Sequence, residues 1–217
     1  AEGIIAIERQ DVRILDMRQR SLMFGTHFEG PPDQVRGIAH RWADEIVYKL
    51  SAGASRGIAT TRIACVARKG AAKEIHLMDY DGHNPHAFTQ NGALNLFPNW
   101  APDNSRLAFT SSRTRKWEIN IFDYRDGSRV PFPVFNSFAS TPAISPDGTR
   151  IAYALRTPRG DTDIFISGLD GSNRRNISNA PSVETSPTWS PSGKQLAYAS
   201  GSEGVGSQVY ICDVDGA

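Results

Sequence analysis

The hydrophobic pattern of this chain changes period twice. From Gly3 to Phe28 the apolar residues fall in three short runs, GIIAI (3–7), VRILDM (12–17) and LMFGTHF (22–28). In the middle run Val12, Ile14 and Asp16 share one face and Arg13, Leu15 and Met17 the other, an imperfect period of two. Turn-forming residues between the runs predict an antiparallel meander. After it, Val35, Ile38, Ala39, Trp42, Ile46 and Leu50 recur at spacings of three and four, the stripe of an amphipathic helix. Pro31-Pro32-Asp33 supplies a start signal, because proline fits the first helical turn and a carboxylate suits the positive end of the dipole. Gly53 is a left-handed stop, so the helix is predicted over about 32–52 and the small, polar stretch 54–61 reads as a linker.

From Arg62 onward the pattern repeats. PNWAPDNSRLAFTS (98–111), PAISPDGTRIAYAL (142–155) and PTWSPSGKQLAYAS (187–200) open on prolines spaced 44 and then 45 residues apart. A second motif keeps the same step: EIHLMDYDG (74–82), EINIFDYRDG (118–127), DIFISGLDG (163–171) and QVYICDVDG (208–216). Strand-like runs recur at 62–66, 107–111, 151–155 and 196–200. A step of this size with about four short strands per unit is the mark of a β-propeller blade. A whole unit is a Pro-x-Trp strand, an Ile/Leu-Ala-Tyr/Phe strand, an Ile-x-Ile-x-Asp strand and a short closing strand. The first unit lacks its Pro-x-Trp strand and the last lacks its closing strand. The predicted fold is therefore mainly β: about four partial blades over 58–217, preceded over 1–57 by part of a small α/β (α+β) domain. Either four blades close a ring, or they form an arc of a larger propeller.

The repeated residues have mechanical reasons. In Ser-Pro-Asp-Gly, proline presets φ, aspartate suits the third turn position and glycine relieves crowding at the fourth. Asn104 stands in for that glycine in the first copy, and Ser192 for the aspartate in the third. Trp100, Ile144 and Trp189 share a register that suits a large packing residue between blades.

Charge adds little at this level. With a formal net charge of +1 the chain as a whole shows no electrostatic footprint for nucleic acid or an anionic membrane. No apolar run approaches the roughly 20 residues that span a bilayer, and AEGIIAIERQ has no basic segment leading an apolar one, so no signal peptide is expected. Cys65 and Cys212 read as small buried apolar residues.

The chemical motifs are weak. Gly53-Ala-Ser-Arg-Gly57 matches the nucleophile elbow, but a helix precedes it and a strand follows, the inverse of the required context. Asp79-Tyr-Asp-Gly-His-Asn84 lacks the distal glutamate of a calcium loop and reads as a turn. His83 and His86 have no third ligand nearby, and Asn176-Ile-Ser178 is a glycosylation sequon only in form. No phosphate loop, dinucleotide fingerprint or zinc spacing occurs. We assign no catalytic residue, no metal and no cofactor.

The combination of Pro-x-Trp-Ser-Pro-x-Gly, Leu-Ala-Tyr and Ile-x-Asp-x-Asp-Gly resembles the TolB family of Gram-negative periplasmic proteins. Propellers attached to prolyl-oligopeptidase-like serine peptidases carry similar repeats, and a stand-alone ligand-binding propeller is a further alternative. The preceding segment Arg13–Leu50 followed by Thr60–Arg68 narrows the choice, because its order of strand pair, helix and first propeller strand is similar to the end of the TolB N-terminal domain. The resemblance implies a six-bladed propeller, of which two blades are missing here, and an absent TolA-binding segment. It implies a non-catalytic periplasmic adaptor of the Tol–Pal system, acting in outer-membrane integrity and cell division. The lipoprotein Pal would dock on the loops that precede each Pro-x-Trp strand. Carried over residue by residue, these give Asn95 and Phe97, Phe138 and Thr141, and Thr185 and Ser186. Phe138 stands where the family pattern has histidine.

Overall fold

The computed structural model describes residues 3–8 (by backbone), 11–27, 34–201 and 206–215. Phe28 and the helix start signal 31–33 lie outside these residues. The chain divides into two compact units, one of Ala1–Ile63 with Met78–Pro85, the other of Ala64–Leu77 with His86–Ala217.

In the first unit β1 (Gly3–Glu8), β2 (Asp11–Asp16) and β3 (Ser21–His27) form an antiparallel meander, as the alternation predicts. Helix α1 follows over Val35–Leu50 and ends where Gly53, at φ +83°, returns its N–H to the carbonyl of Tyr48 at 2.8 Å. Val12, Ile14 and Ile38 are buried, and Lys49 lies 5.7 Å over the ring of Phe24. The stretch after the helix folds back onto it. Asp44 of α1 accepts the N–H groups of Ala59 at 2.6 Å and Thr60 at 2.8 Å. Gly57 is needed there twice over. Its φ is +75°, and a side chain at Gly57 would begin 2.2 Å from the Asp44 carboxylate.

The second unit is built of repeated antiparallel sheets. β4 (Arg62–Lys69), β5 (Ala72–Asp79) and β6 (His86–Ala87) form the first; β4 and β5 run across the division between the units. β7 (Asn95–Trp100), β8 (Arg106–Ser111), β9 (Glu118–Asp123) and β10 (Arg129–Val130) form a complete four-stranded blade. The next comprises β11 (Ala139–Ile144), β12 (Arg150–Arg156), β13 (Thr162–Gly168) and β14 (Arg175–Asn176). The last comprises β15 (Val183–Trp189), β16 (Gln195–Gly201) and β17 (Gln208–Asp213), joined to its predecessor by a single parallel bridge, Thr162 to Val183.

The Ile/Leu-Ala-Tyr/Phe motif follows from blade stacking. Successive residues of a strand face opposite sides of its sheet. Ile151, Tyr153 and Leu155 therefore pack with Ala108, Ile119 and Ile121 of the preceding blade. Ala152 and Ala154, on the other side, pack with Leu196 and Val214 of the following one. Each fully buried aliphatic side chain contributes about 1.5–3 kcal/mol; alanine on the opposite side lets the next blade approach. Tyr153 is fully buried and stacks with Phe135 at 5.5 Å and Phe165 at 6.3 Å. The expected packing role of Trp189 is met, and its Nε1–H also donates to the Ala143 carbonyl of the preceding blade at 2.9 Å. Cys65 and Cys212 are free and half-buried rather than buried; partial burial raises the Cys212 thiol above its ordinary value.

Candidate functional site

The register places the loops that precede β7, β11 and β15 together. Asn95 pairs with Ser111, which pairs with Glu118, so the start of β7 and the β8–β9 connection lie at one end of that blade. Ala139, Leu155 and Asp163 do the same one blade on. Neighbouring blades are stitched at this end, by Lys73 N–H to the Ala93 carbonyl at 3.0 Å and by the Thr162–Val183 bridge. The Pro-Asp-Gly turns occupy the opposite end.

Three positions here share one backbone anomaly. Phe97, Thr141 and Ser186 have φ of +55°, +48° and +55°, the left-handed region, and each precedes proline. Proline biases its predecessor toward extended backbone, and a non-glycine residue in this region carries strain of about 1–3 kcal/mol. The cause lies in the ladder. Between Leu96 and Asn99, Ser140 and Ala143, and Thr185 and Thr188, the register slips by one residue. Each X-Pro pair thus bulges opposite a single aromatic residue: Phe109, Tyr153 or Tyr198. A bulge bends its strand and re-aims the side chain at the extra residue.

Hydroxyls of the preceding blade hold two of these bulges. Thr141 donates its N–H to Thr110 Oγ1 at 3.1 Å, and Ser186 donates to Thr141 Oγ1 at 3.2 Å. The donor to the first hydroxyl is buried, where an unmet N–H would be costly. Thr110 was not among the expected site residues; it sits mid-strand, and no local signal marks it.

The remaining expected residues take different positions. Asn95 is fully buried, with its amide donating to Glu74 Oε2 at 2.9 Å and its carbonyl accepting from Ser111 Oγ at 2.8 Å. Phe138 is half-buried, its ring edge-on to Trp117 at 5.5 Å. Thr185 is half-buried, whereas Phe97, 46% exposed, and Ser186 face outward. The structure therefore joins Thr141 and Ser186 directly, and offers Phe97 and Ser186 as the accessible side chains. Glu184, unassigned from sequence, is fully buried and accepts from the hydroxyls of Ser178 at 3.2 Å, Ser182 and Ser200 at 2.9 Å.

The weaker motifs resolve into scaffolding. Asp79 and Asp81 are both gripped by Arg36 of α1, the former at 2.5 Å. That guanidinium holds the Asp81 carboxyl down at about 2. Ser55 Oγ, the would-be nucleophile, accepts the Gly57 N–H at 3.3 Å within its own turn. Asn176 Nδ2 donates to Asp163 at 2.5 Å within its blade. Among the described residues no group of three or more His, Cys, Asp or Glu side chains could hold a metal ion, and no helix is long and apolar enough to cross a membrane.

Known proteins add a family. A family model described as the TolB beta propeller domain matches residues 49–217. The chain is 35% identical over 179 residues to the Tol-Pal system protein TolB of Bordetella pertussis, an overlap of 82% of this chain and 40% of that protein. It thus spans well under half the length of that relative. The crystal structure of TolB from Acinetobacter baumannii matches 98% of this chain and 54% of its own, with TM-score 0.75 and 23% identity. A puromycin-hydrolyzing peptidase of Mycobacterium tuberculosis matches 70% of this chain and 25% of its own, at TM-score 0.51 and 16% identity, a likeness of fold alone. On its repeat, its blades and its family match, this chain belongs to the TolB β-propeller family.

Proposed function

We propose that this chain is part of a non-catalytic periplasmic adaptor of the Tol–Pal type, docking a Pal-like lipoprotein on the blade end that carries Phe97, Thr141 and Ser186. Such docking would serve outer-membrane integrity and cell division. The observation that carries the reading is the left-handed backbone at these three equivalent positions. Backbone strain clusters at ligand clamps and binding sites, where the surroundings over-determine it. Three consecutive repeats keep it at the same end, and two of the three are braced from the preceding blade. The partner class comes from relatives named Tol-Pal system protein TolB. TolA is the partner this reading assigns to the longer protein.

Calorimetric titration with the periplasmic domain of a Pal-like lipoprotein tests the proposal. Phe97→Gly removes the exposed ring while glycine accepts the same backbone. We expect saturable heat with the native chain and binding weakened by about tenfold or more in the variant, the loss of one aromatic anchor. No heat from a folded chain would refute the adaptor reading.

A further inference from the structure

The net charge of +1 conceals a segregation. At the end of the blades that carries the strained residues, three of the four hairpins between second and third strands are basic; the sequence of the fourth, 202–207, has no lysine or arginine. The β4–β5 hairpin exposes Arg68, Lys69 and Lys73. The β8–β9 hairpin exposes Arg113, Arg115 and Lys116, and the β12–β13 hairpin exposes Arg156 and Arg159. Of these eight, only Arg159 ion-pairs with carboxylates among the described residues, reaching Asp161 at 3.0 Å and Asp163 at 3.3 Å.

Carboxylates are present at this end, but turned inward. Glu74, Glu118, Asp163 and Glu184 are buried. Glu74 alone accepts from Thr89 Oγ1 at 2.5 Å, Gly92 N–H at 2.8 Å and Asn95 Nδ2 at 2.9 Å. Glu74 and Glu184 tie their blades to neighbouring segments, Glu118 and Asp163 brace their own, and the hairpin surface carries cations. The opposite end is mixed instead: Asp103, Asp126, Asp147 and Asp170 are exposed in its turns, beside exposed Arg125, Arg129, Arg174, Arg175 and Lys194.

We infer that this end of the propeller is built to receive an acidic protein surface, the basic hairpins forming a charged rim around the apolar and hydroxyl residues between them. The location of the partner rests on the adaptor reading; the sign of its charge does not. The arrangement favours protein over other polyanions because the basic hairpins share their end of the blades with the exposed ring of Phe97, an apolar contact inside a polar rim. Trp117 and Phe138 pack edge-to-face, which leaves fewer ring faces for stacking on nucleobases. Rim charges act mainly on the association rate, and their effect falls with salt.

The test uses the whole chain and two probes, a Pal-like periplasmic domain and an oligoglutamate peptide. Each is titrated between about 50 and about 300 mM salt, across the Debye lengths at which exposed charges become screened. The variant Arg113→Ser/Arg115→Ser/Lys116→Ser removes one hairpin's charge. Arg125→Ser/Lys194→Ser, which removes two charges at the opposite end, is the control, and Arg115→Ser alone serves if the triple variant melts early. We expect the Pal-like domain to associate roughly tenfold more slowly in high salt and in the hairpin variant, with the control unchanged. Binding of the Pal-like domain that ignores both salt and the hairpin would overturn this inference and leave the adaptor reading standing. Hairpin-dependent binding of oligoglutamate without binding of the Pal-like domain would do the reverse. Oligothymidylate or phosphatidylglycerol vesicles binding in preference to the peptide would also overturn it.

Discussion

The two ends of the same blades solve one backbone problem in opposite ways. Where the first strand of each blade turns into the second, the left-handed positions are Asn104, Gly148 and Gly193, at φ +57°, +70° and +68°. These residues tolerate that conformation, and aspartate satisfies the turn: Asp147 accepts from Ser145 Oγ at 2.5 Å and from Thr149 N–H at 3.0 Å. Near the other end, the bulges of the same first strands put Phe97, Thr141 and Ser186 in the left-handed region, each before a proline that opposes it, although the hairpins beside them use Gly70 and Gly160. The turns minimise local cost. The bulges keep side chains where glycine would be cheaper, which is the expected signature of a surface that needs those side chains.

The largest effect should come from the residue that backs a bulge. Tyr153→Ala removes a fully buried ring opposite Thr141-Pro142 and should cost about 3–5 kcal/mol. Thermal melting would fall by roughly 6–20 °C for a chain of this size. A loss as small as that of an exposed residue would break the claim that the bulges rest on the blade core.

Next in size is the brace. Thr110→Val keeps the volume of the side chain but leaves the buried Thr141 N–H without its acceptor, an expected loss of about 1–3 kcal/mol in denaturant unfolding. The same change at Thr141 should cost less, because the Ser186 N–H it strands belongs to an exposed residue that water can reach.

Glycine substitutions compare the two ends directly. Ser186→Gly relieves about 1–2 kcal/mol of left-handed strain and adds about 0.5–1 kcal/mol of unfolded-chain entropy. The variant should be unchanged or slightly more stable. Asn104→Gly has less strain to relieve and should be neutral or slightly less stable. Equal responses at both positions would remove the contrast between the ends.

The smallest effect is the pH response of the turns. Hydrogen bonds from Ser145 and Thr149 hold the Asp147 carboxyl at about 2, below its ordinary 3.8. Asp103, Asp126 and Asp170 are lowered for the same reason, by Ser105, Ser128 and Ser172. A depressed folded value means the ionised form is favoured by folding. This stabilisation is therefore complete above the ordinary value and lost as pH falls toward about 2. Acid titration followed by circular dichroism should show a shallower decline in Asp147→Asn.

What the sequence made legible was local. Period-two runs gave β8, β9 and their counterparts nearly to the residue, and the turn residues gave their connections. β7, β11 and β15 instead begin three or four residues before the prolines that mark them, so Asn95, Phe97, Thr141, Thr185 and Ser186, expected in loops, lie within strands. The helix appeared as Val35–Leu50, within the predicted stretch. What it concealed depends on residues distant in the chain. Arg36 meets Asp79 and Asp81 more than 40 positions away, and nothing in either motif marks the pairing. Asn95 looks like a polar loop residue, yet the neighbouring blade buries it against Glu74. The left-handed residues before proline contradict the local bias, so only the register slip exposes them. Charge was hidden most simply: a whole-chain sum cannot show that cations and carboxylates are sorted into exposed and buried sets at one end.

Hydrogen exchange of the chain with and without a Pal-like periplasmic domain would test the account most directly, since it reads both ends of every blade at once. The account expects new protection in 88–97, 112–117, 131–141, 157–161 and 177–186, with the turns at 101–105, 145–149 and 190–194 unchanged. Protection confined to those turns would contradict it, and would move the docking surface to the opposite end of the blades.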